Sequence, residues 1–108
     1  MLYLDELANS IKRIQEKDVK LCVVGVGTIG LPLATFLANV GFQVTGLDIN
    51  QKRVDEINSA KVIYEYTNIL EDVVLKSQRL RATINPQEAL DKTEALFVCV
   101  PTPLNTKK

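Results

Sequence analysis

The chain has 108 residues, room for one small domain. Thirteen basic and thirteen acidic residues cancel, which removes the electrostatic footprint expected of a nucleic-acid or anionic-membrane binder. No apolar run approaches the ~18 residues that span a bilayer, and no basic segment precedes an apolar one as in a secretory signal.

Residues 2–17 place Leu4, Leu7, Ile11 and Ile14 at helical spacing, with Lys12, Arg13, Glu16 and Lys17 elsewhere. The pattern predicts an amphipathic helix ahead of the fold proper, and packing against its own domain is favoured over a role in meeting a partner. Residues 18–108 then form the domain itself, expected to be incomplete because a sheet of this kind would continue with further strands after Thr102. Val19 to Gly25 reads as a strand buried on both faces, because its apolar run is continuous. Gly25-Val26-Gly27-Thr28-Ile29-Gly30 turns the chain into a helix over Thr28 to Val40. The apolar face of that helix is read as Ile29, Leu33, Phe36, Leu37 and Val40, and Pro32 falls in or just past the first turn, where a missing N–H costs little. Gly41 ends the helix, and Phe42 to Leu47 makes a second strand that closes on Asp48.

Asn50 is placed to cap a helix over Gln51 to Ala60, with Val54 and Ile57 facing inward. Lys61 to Tyr66 reads as an irregular connection and Asn68 to Ser77 as a helix. Leu80 to Ile84 is a short strand. Asn85 caps a short helix over Pro86 to Asp91, with Pro86 at the favoured first position. Ala95 to Val100 is a further buried strand, closed by Pro101-Thr102-Pro103, and Leu104 to Lys108 is a frayed tail. Alternating strands and helices predict an α/β domain of the Rossmann type. Its parallel sheet has strand order 3-2-1-4, with helices on both faces. The crevice is expected between the C-terminal ends of the first and fourth strands, at Gly25 and Val100. The fourth strand is left at a sheet edge, which predicts self-association or instability.

The glycine turn carries the chemistry. Gly25 permits the tight turn, Gly27 lets the backbone approach a pyrophosphate, and Gly30 lets the helix pack close to the strand. The first helical N–H groups and the helix dipole then favour negative charge. Asp48 ends the second strand 18 residues after Gly30, close to the ~20 expected for a carboxylate that accepts the ribose hydroxyls. It would repel a 2′-phosphate, so NAD is favoured over NADP. Helix capping is the competing use of Asp48, but Asn50 is better placed for it. Arg53 is either a solvated charge or a flank for adenine. Thr102 is either part of a strand stop or a hydroxyl aimed at the cofactor. Cys22 and Cys99 lie in strand interiors, which argues for packed thiols in a reducing, cytoplasmic setting. The chain has no histidine, no metal-ligand cluster and no positioned nucleophile, so no catalytic residue is assigned.

Val24-Gly25-Val26-Gly27-Thr28-Ile29-Gly30-Leu31-Pro32-Leu33-Ala34, Val44-Thr45-Gly46-Leu47-Asp48-Ile49-Asn50 and Val98-Cys99-Val100-Pro101-Thr102-Pro103 together resemble the nucleotide-sugar dehydrogenases. This is the UDP-glucose, GDP-mannose and UDP-N-acetylmannosamine dehydrogenase family. The resemblance covers residues 18 to about 105. It implies an N-terminal NAD-binding domain. Ile29 would lie against the cofactor, Asp48 hold the adenine ribose, Arg53 flank adenine, and Thr102 contact the nicotinamide half. Where the family often reads Tyr-Glu-Pro-Gly-Leu, this chain reads Tyr64-Glu65-Tyr66-Thr67-Asn68. The family's thioester-forming cysteine, its supporting polar residues and its nucleotide-sugar domain lie downstream of these positions. The expectation is therefore the cofactor-binding portion of an NAD-dependent nucleotide-sugar 6-dehydrogenase, inactive alone, with the nucleotide sugar bound only by a full-length enzyme. Two alternatives are a non-catalytic nucleotide-sensing or partner-binding module, and a β-hydroxyacid dehydrogenase. The Val-Pro-Thr-Pro ending argues against the latter.

Overall fold

A computed structural model describes residues 2–59 and 79–100. The expected connection at 61–66, the helix at 68–77, Thr102 and the tail at 104–108 lie outside the described residues. The elements run α1 (Leu2–Gln15), β1 (Lys20–Val24), α2 (Gly30–Asn39), β2 (Gln43–Leu47), α3 (Gln51–Asn58), β3 (Leu80–Thr83), α4 (Pro86–Leu90) and β4 (Ala95–Val98). The sheet is parallel with order β3-β2-β1-β4, as the alternation predicted. Its register sets Leu21 beside Val44 and Ala95, and Val44 beside Leu80.

Leu21, Cys22 and Val23 are buried in succession. Side chains alternate along a strand, so both faces of β1 are covered. Leu21 and Val23 join Val44, Leu80 and Ala82 from the sheet, Leu31, Ala34 and Ala38 from α2, and Val54 and Ile57 from α3 in one core. Cys22 and Ala89 of α4 are buried apart from that cluster, which places cover on the second face. Burial pushes the Cys22 thiol pKa up, in keeping with a packed, inert side chain.

Two packing expectations are corrected. The buried side of α2 is Gly30, Leu31, Ala34, Thr35 and Ala38, and Ile29, Phe36 and Val40 are exposed. The reason is the closeness of the helix to the sheet. A Cβ at Gly30 would lie 1.6 Å from the Gly25 carbonyl oxygen. A helix seated that tightly presents its small residues at positions 30, 34 and 38, one turn apart, buries Leu31 beside them with Leu37 packed at the margin, and leaves Ile29, Phe36 and Val40 outside. Second, β4 is not a buried strand: Leu96, Phe97 and Val98 are exposed. Among the described residues it pairs with β1 alone, at the edge of the sheet, so its faces have less cover than those of β1. Cys99 correspondingly lies just past the strand and is half-buried, although its N–H still donates to the Val24 carbonyl at 2.7 Å.

The leading helix departs from expectation more sharply. Leu4, Leu7, Ile11 and Ile14 are all exposed, so the apolar stripe of α1 does not pack on the described part of the domain. A polar clamp holds the helix instead. The Arg13 guanidinium donates to both oxygens of Glu94 at 2.6 Å and to the Asp18 carbonyl at 2.7 Å. Lys17 takes a positive φ of 62° to turn the chain into β1, and its ammonium sits 5.6 Å from the centre of the Phe42 ring.

Candidate cofactor site

The C-terminal ends of β1 and β2 and the residues after β3 surround a cleft of about 510 Å³. Val24, Gly25 and Gly27 form one wall, Leu47, Asp48, Ile49, Asn50 and Arg53 another, and Ile84, Pro86 and Val100 close it. The expected crevice between Gly25 and Val100 is thus present, and it reaches further across the sheet, over β2 to the end of β3. Parallel strands carry their ligand-binding loops at these ends.

The glycine turn separates three roles. Gly25 has φ of +88°, and a Cβ there would press at 3.0 Å on the Cys99 carbonyl group and the Val100 nitrogen, so only glycine allows β1 and β4 to approach. Gly30 is required by the helix contact described above. Among the described residues, its chain neighbours aside, no atom would meet a Cβ added at Gly27 within 4 Å. Its missing side chain answers to no packing among those residues and leaves open space at the cleft wall. No side chain caps α2, whose N-cap position is held by Ile29. At this helix start the Leu31 N–H donates to the Gly27 carbonyl at 3.1 Å and Pro32 has no N–H, so what favours an anion beside the glycine turn is chiefly the positive end of the helix dipole.

Asp48 is fixed from two directions. One carboxylate oxygen accepts the Val26 N–H at 3.0 Å and the other accepts the Asn50 N–H at 3.0 Å. Each oxygen retains further acceptor capacity, so the group can serve the turn and a pair of ligand hydroxyls together. The Asp48 N–H meanwhile donates to the Thr83 carbonyl at 3.1 Å, extending the β2–β3 ladder. Asn50 caps α3 as expected, accepting the Arg53 N–H at 3.2 Å. That cap brings Arg53 to the cleft wall on the first turn of α3.

Of the predicted site residues, Gly25, Gly27, Asp48 and Arg53 line this one cleft. Thr28 and Ile29 lie on the exposed turn beside it, and Gly30 is buried beneath the turn. The sequence reading missed the apolar walls. Ile49 is almost wholly exposed at the rim, at 98%, and Ile84 is half-exposed opposite. An isoleucine directly after the strand-closing acid, and the Asn-Pro helix start at 85–86, were the available signals. Gly46 was missed too: its Cβ would lie 2.8 Å from Cγ1 of Val26, so this glycine lets Val26 pack beneath the turn.

The residues present fit a dinucleotide. An open glycine faces the phosphate position, a fixed carboxylate suits ribose, and apolar walls with a guanidinium suit adenine. Among the described residues no group of acidic, cysteine or histidine side chains could hold a metal ion, and no helix is long and apolar enough to cross a membrane.

Residues 19–108 match the family model for the UDP-glucose/GDP-mannose dehydrogenase family, NAD binding domain. The UDP-N-acetyl-D-mannosamine dehydrogenase of Methanococcus vannielii is 40% identical over 92 residues, which are 85% of this chain and 21% of that protein. The enzyme of the same name from Campylobacter jejuni is 42% identical over 86 residues, 78% of this chain and 20% of that one. Among solved structures, a GDP-mannose dehydrogenase in a ternary complex from Pseudomonas aeruginosa superposes with a TM-score of 0.71 at 29% identity, over 80% of this chain and 20% of its own. The UDP-N-acetyl-mannosamine dehydrogenase of S. aureus gives 0.70 at 34% identity, over 82% of this chain and 21% of its own. The chain thus spans about one fifth of the length of these relatives. It belongs to the UDP-glucose/GDP-mannose dehydrogenase family, of which it carries the NAD-binding domain.

Proposed function

We propose that the chain holds NAD in the cleft at the ends of β1 and β2, with Gly25, Gly27, Thr28, Ile29 and Gly30 around the pyrophosphate, Asp48 on the adenine ribose and Arg53 beside adenine. Thr102 is assigned to the nicotinamide half, on the family resemblance alone. What carries the reading is the pairing of an unfilled Gly27 with a carboxylate already locked to the same turn through Val26. When bound, NAD supplies a hydride acceptor. The chain's own residues bind and orient it: the glycine turn admits phosphate, Asp48 accepts hydrogen bonds from the ribose hydroxyls, and Ile49, Ile84 and Pro86 exclude water from the base.

In the whole enzyme this binding serves a nucleotide-sugar 6-dehydrogenase, which oxidises the primary alcohol of a UDP-sugar to a uronate. The matched UDP-N-acetyl-D-mannosamine dehydrogenases support that substrate class. The exposed stripe of α1 favours a second reading, a partner-binding module that uses the nucleotide site without catalysis. Calorimetric titration with NAD and with NADP tests the site. NAD should bind at least tenfold more tightly, because a 2′-phosphate meets the Asp48 carboxylate. Equal affinities would refute the ribose assignment.

A further inference from the structure

We propose that Gly46 is a positioning residue for the cofactor: as the floor of a socket for Val26, it sets the height of the phosphate-facing turn and with it the affinity for NAD. This role rests on NAD occupying the cleft as proposed above. Gly46 lies inside β2, where a glycine packs nothing and weakens the strand. Its φ is not positive, so its backbone conformation is open to any residue. An added Cβ would meet the Ala82 Cβ at an ordinary 3.8 Å but Cγ1 of Val26 at 2.8 Å. What excludes a side chain at this position is therefore Val26.

Positions 46 and 48 lie two apart along one strand direction and share a face of the sheet. Both serve the same residue. Asp48 accepts the Val26 N–H at 3.0 Å, and Gly46 receives the Val26 side chain, which is fully buried. Val26 stands between Gly25, whose N–H donates to the Leu47 carbonyl at 2.7 Å, and Gly27, whose open side faces the cleft. β2 is paired on both sides, with β1 and with β3, so it resists displacement. Valine is stiff at χ1 and, buried here, has no free space to turn into. A methyl at position 46 is thus relieved by lifting Val26, which carries Gly27 into the space for the pyrophosphate. Asp48 keeps its bond from the Asn50 N–H, so the ribose and base contacts are retained. A displacement of about 0.5 Å is enough to spoil a preorganised contact.

Calorimetric titration with NAD of the wild-type chain, Gly46→Ala, Val26→Ala and the double variant tests this role, with adenosine binding to the same proteins measured by ligand-observed NMR. Gly46→Ala should weaken NAD about fivefold or more by overfilling the socket, and Val26→Ala about threefold by emptying it. In the double variant the new methyl occupies space that the valine leaves. It should bind NAD more tightly than either single variant, within about twofold of wild type. Adenosine carries no phosphate and should bind all of these proteins alike, whereas a general loosening of the fold would weaken it too. A folded Gly46→Ala with wild-type NAD affinity, single losses that multiply in the double variant, or equal losses for adenosine and NAD would each overturn the proposal while leaving NAD in the cleft. Should Gly46→Ala not fold, the other two variants decide: a double variant that binds NAD no better than Val26→Ala overturns it. A wild-type chain that binds no NAD overturns the cofactor site itself, and the role of Gly46 falls with it.

Discussion

The Asp48 carboxylate accepts the backbone N–H of Val26 at 3.0 Å, across 22 positions of sequence. This bond ties the end of β2 to the glycine turn after β1. One residue thus positions the phosphate-facing loop and offers acceptors to a ribose. The two duties can be separated experimentally, because each has its own readout.

Asp48→Ala removes both. It leaves the Val26 N–H unpaired next to a fully buried side chain, which should cost about 1–3 kcal/mol in chemical denaturation. NAD binding should weaken and the preference over NADP should shrink. Asp48→Asn keeps an acceptor for the turn but loses the charge. It should recover much of the stability while still narrowing the NAD/NADP ratio in calorimetry.

Gly30→Ala tests the seat of α2. The added methyl would sit 1.6 Å from the Gly25 oxygen and 3.2 Å from the Cys99 Cβ, so backbone must move. Overpacking of this kind costs about 3 kcal/mol or more where no flexible side chain can yield. Thermal unfolding should show a large loss of stability, or no cooperative transition at all.

Asn58→Ala tests how β3 is held. The Asn58 amide donates to the Ala82 carbonyl at 2.9 Å and accepts the Ala82 N–H at 2.8 Å, so a side chain at the end of α3 completes part of the strand's ladder. Its loss should cost about 1–3 kcal/mol by denaturant titration, since two backbone groups lose their partner together.

Much of this architecture was legible because alternation and glycine placement are local signals. Strand order, the cap at Asn50, the inward Val54 and Ile57, and the need for glycine at position 30 all follow from short-range chemistry. The inward side of α2 did not. Hydrophobic size pointed to Ile29, Leu33, Phe36, Leu37 and Val40, of which Leu37 does pack on the core, whereas the distance from helix to sheet sets Ala34 and Ala38 inward with Leu31. The fate of α1 was equally hidden, because a stripe looks the same whether it faces its own domain or not. What decides it is the Arg13–Glu94 contact, 81 positions apart. Ile49 and Ile84 joined the site for the same reason: the fold brings the ends of β2 and β3 together.

The Arg13–Glu94 pair also has a pH signature. Hydrogen bonds from Arg13 hold the Glu94 carboxyl below its ordinary pKa. A depressed carboxylate favours the folded chain fully above its unfolded pKa, and that contribution is lost as pH falls through the folded value. Both groups are solvent-accessible, so the global effect is small and screened by salt. Carboxyl NMR should find the Glu94 midpoint below that of an ordinary glutamate, and Arg13→Ala should return it upward. An unchanged midpoint would show that the clamp does not form in solution.

At Gly27 glycine answers to no contact among the described residues, so the cofactor assignment rests most directly on this position. Calorimetry of NAD binding to the wild-type chain and to Gly27→Val is the decisive measurement. The valine should leave the unfolding midpoint nearly unchanged and lower NAD affinity at least tenfold, because its side chain fills the space kept for the pyrophosphate. Equal NAD affinity in the two proteins would contradict the assignment and place the cofactor elsewhere.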